Sequence, residues 1–71
     1  SIYEVPVPES WVGKSIVQIN VRNKYSISIL AVKMDGTLHP LPGAAYVFQG
    51  PETLVIMGAN TDIKKFLSLG K

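Results

Sequence analysis

Gly13-Lys14-Ser15 reproduces the closing letters of a nucleotide-binding P-loop, a motif that wraps backbone N–H groups around phosphate. The full pattern places a glycine five residues before the Gly-Lys pair. Here that position is Pro8, which has no N–H and a fixed φ. The stretch Pro8-Glu9-Ser10-Trp11-Val12 contains no glycine and adds a carboxylate that repels phosphate. A P-loop also requires a buried strand before it and a long helix after it, in a larger domain. The motif is not an ATP site. Ser15 has a different use, as the N-cap of a short helix.

Other chemistries are excluded in turn. Glu4, Glu9, Asp35, Glu52 and Asp62 are dispersed through strand, turn and cap positions, without the spacing of a catalytic pair or triad. Hydroxyls without a nearby base are not nucleophiles, so the expected class is not an enzyme. The chain has no cysteine and a single histidine, His39, which removes thiolate and histidine-rich metal sites and suits a reducing cytoplasm. Seven basic and five acidic residues leave a net charge of +2, with only Lys64-Lys65 adjacent. That is too little for a nucleic-acid footprint. No segment has the length of a membrane span, and no signal peptide is visible. Neither nucleic-acid binding nor direct membrane insertion is expected.

The elements that position these residues form one domain, residues 1–71, which reads as a piece cut from a longer protein. A core of this size is marginal. With 46% apolar and 17% charged residues, oligomerisation is the expected supplement. Residues 2–7 predict a strand that Pro6 and Pro8 confine to a sheet edge. Ile16, Val17, Ile19 and Val21 mix helical spacing with β-branching and predict short helical turns. Ser26 to Met34 alternates and then becomes apolar on both faces, as an interior strand does, and Asp35-Gly36 is a hairpin signal. A return strand over Thr37–His39 ends at Pro40-Leu41-Pro42-Gly43, and Tyr46-Val47-Phe48 reads as another short strand. Leu54–Met57 should be the most buried strand. Asn60 or Thr61 caps a final helix that Gly70 stops, with Ile63, Phe66 and Leu67 on its apolar face. Trp11 is expected to pack against the end of the sheet. The fold class is α+β: a small antiparallel-rich sheet with a short N-terminal helical segment and a C-terminal helix.

Three stretches in this order carry a resemblance: Gly13-Lys14-Ser15-Ile16, Val21-Arg22-Asn23-Lys24-Tyr25 and Leu54-Val55-Ile56-Met57-Gly58. From Val5 to about Leu67 the chain resembles the TrkA-C domain, the C-terminal subdomain of RCK proteins that regulate potassium transport. In that module Gly-Lys-Ser ends the edge strand and starts the first helix. The resemblance implies a cytoplasmic, homodimeric regulatory domain, peripheral to a membrane potassium transporter and acting on it through the full-length protein. No cofactor is implied in this domain. In the Ktr-type regulators the ligand is the nucleotide cyclic di-AMP, bound across the dimer interface; other members bind different ligands or none.

On that resemblance Arg22 matches the arginine that contacts the cyclic dinucleotide phosphate, a role its guanidinium fork suits. The other reading of Arg22 is a solvated side chain loosely paired with a carboxylate. Ile16, Val17, Val21 and Ile29 form an apolar floor for adenine, or else dimer or domain core. Ser28 stands where the binders tend to carry asparagine, and Asn20 where relatives often carry an acid. His39 and Pro40 either close the edge of the site or lie on the surface. The family commonly has Gly-Asp before its apolar strand. Gly50-Pro51-Glu52 here is read as a changed turn in which Glu52 supplies the carboxylate. The second function class is a purely structural dimerisation module of another transporter class, such as an anion or dicarboxylate transporter. A GxGxxG unit upstream of Ser1 favours the potassium regulator and membrane spans favour the alternative.

Overall fold

The computed structural model describes residues 1–69. Asp35 and Gly36 both take positive φ, 53° and 76°, the pair of values a two-residue hairpin requires. They join β2 (Ser28–Met34) to β3 (Thr37–Pro40). β4 (Thr53–Met57) pairs with the other side of β2, and β1 (Ile2–Pro6) pairs with β4. The result is one antiparallel sheet in the order β1-β4-β2-β3. The edge position of β1 follows from Pro6, which has no N–H to give to a second neighbour.

Leu54 and Ile56 of central β4 are completely buried. Val5 and Val32, which flank Leu54 on the neighbouring strands, are buried on the same face. That face meets Ile19, Val21, Ile63 and Phe66 from the helices. The opposite face carries the exposed pair of Glu4 and Lys33, 3.0 Å apart across β4, which contributes little to stability.

The helical segment is split, as expected, into α1 (Ile16–Ile19) and α2 (Val21–Tyr25), joined by Asn20 at φ 60°. Asparagine is among the residues that tolerate this left-handed conformation. α3 spans Asn60–Leu69. Trp11 is buried in an aromatic cluster, with its ring centre 5.6 Å from Tyr25 and 5.3 Å from both Phe48 and Phe66.

Several boundaries differ from the sequence reading. β1 ends at Pro6, and a 3-10 turn over Glu9–Trp11 separates it from Gly13. Gly-Lys-Ser therefore starts the first helix without ending the edge strand. Gly13 turns the chain at φ 84°. α3 begins one residue early: Ile63 N–H donates to the Ala59 carbonyl, so Asn60 and Thr61 lie inside the first turn. Leu67 is 42% exposed beside the buried Phe66. Gly70 lies outside the described residues.

Tyr46-Val47-Phe48 is not a strand. Val47 makes an isolated bridge to Ser15, and the backbone around it serves α1. The first N–H groups of a helix have no partners within it. Ile16 N–H donates to the Tyr46 carbonyl and Val17 N–H to that of Ala44, each at 3.0 Å. Gln18 N–H donates to Ser15 Oγ, and Ser15 N–H donates to Gln18 Oε1, closing a capping box. Beyond that bridge to Ser15, the carbonyls of this segment turn toward the start of α1 and no strand ladder forms.

Glu52 holds that segment in place. It is 2% exposed, and its carboxylate accepts from the Tyr46 hydroxyl at 2.7 Å, Gln49 N–H at 2.7 Å and Gly50 N–H at 2.6 Å. Burial pushes its pKa up, but these hydrogen bonds outweigh it and hold the group below its ordinary 4.5. Burial and the Glu52 carboxylate together push the Tyr46 phenol up to about 12.

Glu52→Gln should lower stability by about 2 kcal/mol, because in either amide orientation one backbone N–H loses its acceptor. Thermal melts at fixed protein concentration should show a Tm lower by about 10 °C. Since folding lowers the Glu52 pKa, its contribution is complete above the ordinary 4.5 and is lost as pH falls through the lowered value. The parent should therefore lose stability on acidification below that point, and Glu52→Gln should show a flatter acid limb.

Candidate functional site

Between α1, α2 and the start of β2 lies an open groove of about 300 Å³, lined by Ile16, Val21, Arg22, Ile27, Ser28, Ile29 and Pro42. Each wall has a local cause. Ile16 opens α1 and is held there by the Tyr46 carbonyl. Val21 and Arg22 open α2 on the far side of Asn20, whose Oδ1 accepts from Asn23 Nδ2 at 3.0 Å. Ser26 at φ 58° ends α2 and turns the chain into Ile27, Ser28 and Ile29.

Between Ile29 and Ala31 the pairing of β2 with β4 shifts by one residue. Leu30 is thereby left out of that register, and its carbonyl accepts Leu41 N–H at 2.8 Å. This bond brings Pro42 over the groove.

The groove is apolar except for Ser28 and one cation. Among the described residues the single ion pair is Lys33–Glu4, so the exposed Arg22 guanidinium has no carboxylate partner. A charged fork beside an apolar floor suits a ligand that joins a flat apolar ring to an anionic oxygen. No group of three or more metal-ligating side chains occurs among the described residues, and no helix among them is long and apolar enough to cross a membrane.

Of the residues singled out from sequence, the groove brings together Arg22, Ile16, Val21, Ser28 and Ile29. It does not include Val17, His39 or Pro40. Val17 is 64% exposed on the outer side of α1. Pro40 ends β3 opposite Ala31. His39 faces a second groove of about 500 Å³, together with Met34, Asp35, Thr37, Pro42, Tyr46 and Gln49. Sequence reasoning missed two lining residues. Pro42 had been assigned only to a turn, and Ile27, 1% exposed, lies where core and groove share a wall.

The arrangement is that of the RCK C-terminal domains. The chain superposes on the RCK C domain of potassium transport protein KtrA, solved in complex with cyclic diadenosine monophosphate, with a TM-score of 0.90 and 26% identity over 97% of this chain and 81% of that one. The RCK_C domain dimer of S. agalactiae BusR, also with c-di-AMP, shares the fold with a TM-score of 0.85 and 24% identity over 99% of this chain and 95% of that one. BusR has also been solved with its promoter DNA.

The chain belongs to the TrkA-C domain family, whose sequence model it matches over residues 1–69. It is 39% identical over 70 residues to Ktr system potassium uptake protein A of Bacillus subtilis (strain 168), covering 99% of this chain and 32% of that protein. The chain thus spans about a third of that relative's length.

Because Arg22 is exposed and unpaired, Arg22→Ala should leave stability within about 0.5 kcal/mol of the parent. Chemical denaturation checks this, and a larger loss would assign Arg22 to the fold.

Proposed function

We propose that this chain is the ligand-sensing domain of a regulator of potassium uptake, and that it binds cyclic di-AMP in the Arg22 groove across a two-fold pair of chains. The observation that carries the reading is the pairing of an uncompensated guanidinium with the apolar lining of Ile16, Val21 and Ile29. The sequence kinship with a Ktr potassium uptake protein and the structural likeness to a KtrA domain solved with that nucleotide support it.

Cyclic di-AMP carries two phosphates and two adenines related by two-fold symmetry. A symmetric pair of chains presents one Arg22 to each phosphate and one apolar floor to each adenine. His39 and Pro40 lie outside the groove of one chain, and Ser28 offers a hydroxyl from within it. In this reading the domain does no chemistry. It couples nucleotide binding to a membrane transporter through the rest of a longer, cytoplasmic protein.

Calorimetry should give one cyclic di-AMP per two chains, with no comparable heat from AMP or cyclic di-GMP. Arg22→Ala should cost about 2–3 kcal/mol, a loss of about 30- to 150-fold. Absence of both heat and thermal shift with the parent would leave only the structural dimerisation reading. Equal binding by the variant would move the site elsewhere.

A further inference from the structure

Ile16 is the one wall of the Arg22 groove carried on α1. That helix has four residues, little more than a single turn, so its place depends on partners outside it. Its first two N–H groups are held by one segment: Ile16 donates to the Tyr46 carbonyl and Val17 to that of Ala44, each at 3.0 Å. The position of the wall is therefore decided by whatever fixes residues 44–46.

Little in that segment fixes itself. It belongs to no strand, and Ala44 and Ala45 are exposed, without a polar side chain. Its internal turn, from Tyr46 N–H to the Gly43 carbonyl at 2.9 Å, ties it only to its own start. The nearest main-chain attachments stand to either side: Leu41 N–H on the Leu30 carbonyl, and Phe48 paired with Gly13 and Lys14. Between them the one polar side-chain attachment is the Tyr46 hydroxyl, 2.7 Å from the buried Glu52 carboxylate. That carboxylate is itself fixed by Gln49 N–H and Gly50 N–H. A hydrogen bond to an ionised acceptor is among the strong ones, and this one acts at the residue whose carbonyl receives Ile16. The Tyr46 side chain is nevertheless absent from the Arg22 groove and faces the second one, beside His39 and Gln49.

We infer that the Tyr46 hydroxyl is a positioning group for the Arg22 groove: anchored on Glu52, it fixes the carbonyl that seats Ile16, and so sets how firmly a ligand ring is held against that wall. For its effect on affinity the inference rests on the ligand reading proposed above. A wall that is not held in place lowers the fraction of chains competent to bind, and the measured affinity falls by the same factor.

The test compares the parent, Tyr46→Phe and Arg22→Ala. Tyr46→Phe deletes one oxygen and keeps the ring, whose centre lies 5.5 Å from that of Phe48, so its far-UV spectrum should match the parent. In amide hydrogen exchange without nucleotide, Ile16 and Val17 of this variant should lose most of their protection, accelerating at least about tenfold more than the β4 amides. Calorimetry should show cyclic di-AMP binding Tyr46→Phe about tenfold more weakly, and saturating nucleotide should restore protection at Ile16 and Val17. Arg22→Ala should weaken binding while leaving that protection unchanged, because Arg22 does not act through α1. Retained protection at Ile16 and Val17 in Tyr46→Phe would overturn the inference, since the Phe48 attachment would then suffice. Equal acceleration in β4 would overturn it too, by making the hydroxyl a support of the whole fold, as would undiminished affinity despite lost protection. A parent that binds no cyclic di-AMP would defeat the ligand reading instead, and the exchange pattern would still decide whether Tyr46 places Ile16.

Discussion

The Glu52 carboxylate is the point from which the rest of the structure can be built. A buried charge is tolerated only if every oxygen is satisfied, and Glu52 meets that condition with two backbone N–H groups and one phenol, without a cation. The phenol is Tyr46, six residues upstream, so the bond fixes both ends of the loop leading into β4. With Tyr46 fixed, its carbonyl and that of Ala44 face the start of α1 and receive the two N–H groups a helix cannot satisfy alone. α1 in turn places Ile16 in the groove. One carboxylate thereby organises a helix of only four residues, far too short to persist through its own hydrogen bonds.

Much of this was legible in the sequence because it depends on local chemistry. Asp35-Gly36 can hardly be other than a hairpin turn, Pro6 keeps β1 at an edge, and the apolar run at Leu54 marks the central strand. Glu52 was recognised as the carboxylate of an altered turn. The parts that were misread depend on partners distant in sequence. Tyr46-Val47-Phe48 has strand composition, but its carbonyls are claimed by Ile16 and Gly13 from another part of the chain. Leu67 has the spacing of a buried face and lies 42% exposed at its margin.

The candidate site shows the same division. Five of the eight residues singled out converge on one groove, since Arg22, Val21 and Ile16 are grouped by the short helices and Ser28 and Ile29 follow directly from α2. His39 and Pro40 are nearby in sequence terms but sit on β3, across Pro42 from that groove. Pro42 borders both grooves, so the partition between them depends on a turn residue whose only sequence signal was its effect on the backbone.

The shift in pairing within β2 also separates two duties of one strand. Ile29 and Val32, three residues apart, both pair with core-facing residues of β4, Ile56 and Leu54. On an unbroken strand they would point to opposite faces. The first half of β2 therefore serves the groove in one pleat phase, and the second half serves the hydrophobic core in another. A change of side chain at Ser28 alters the lining of the groove without disturbing the alternation on which Val32 and Leu54 rely.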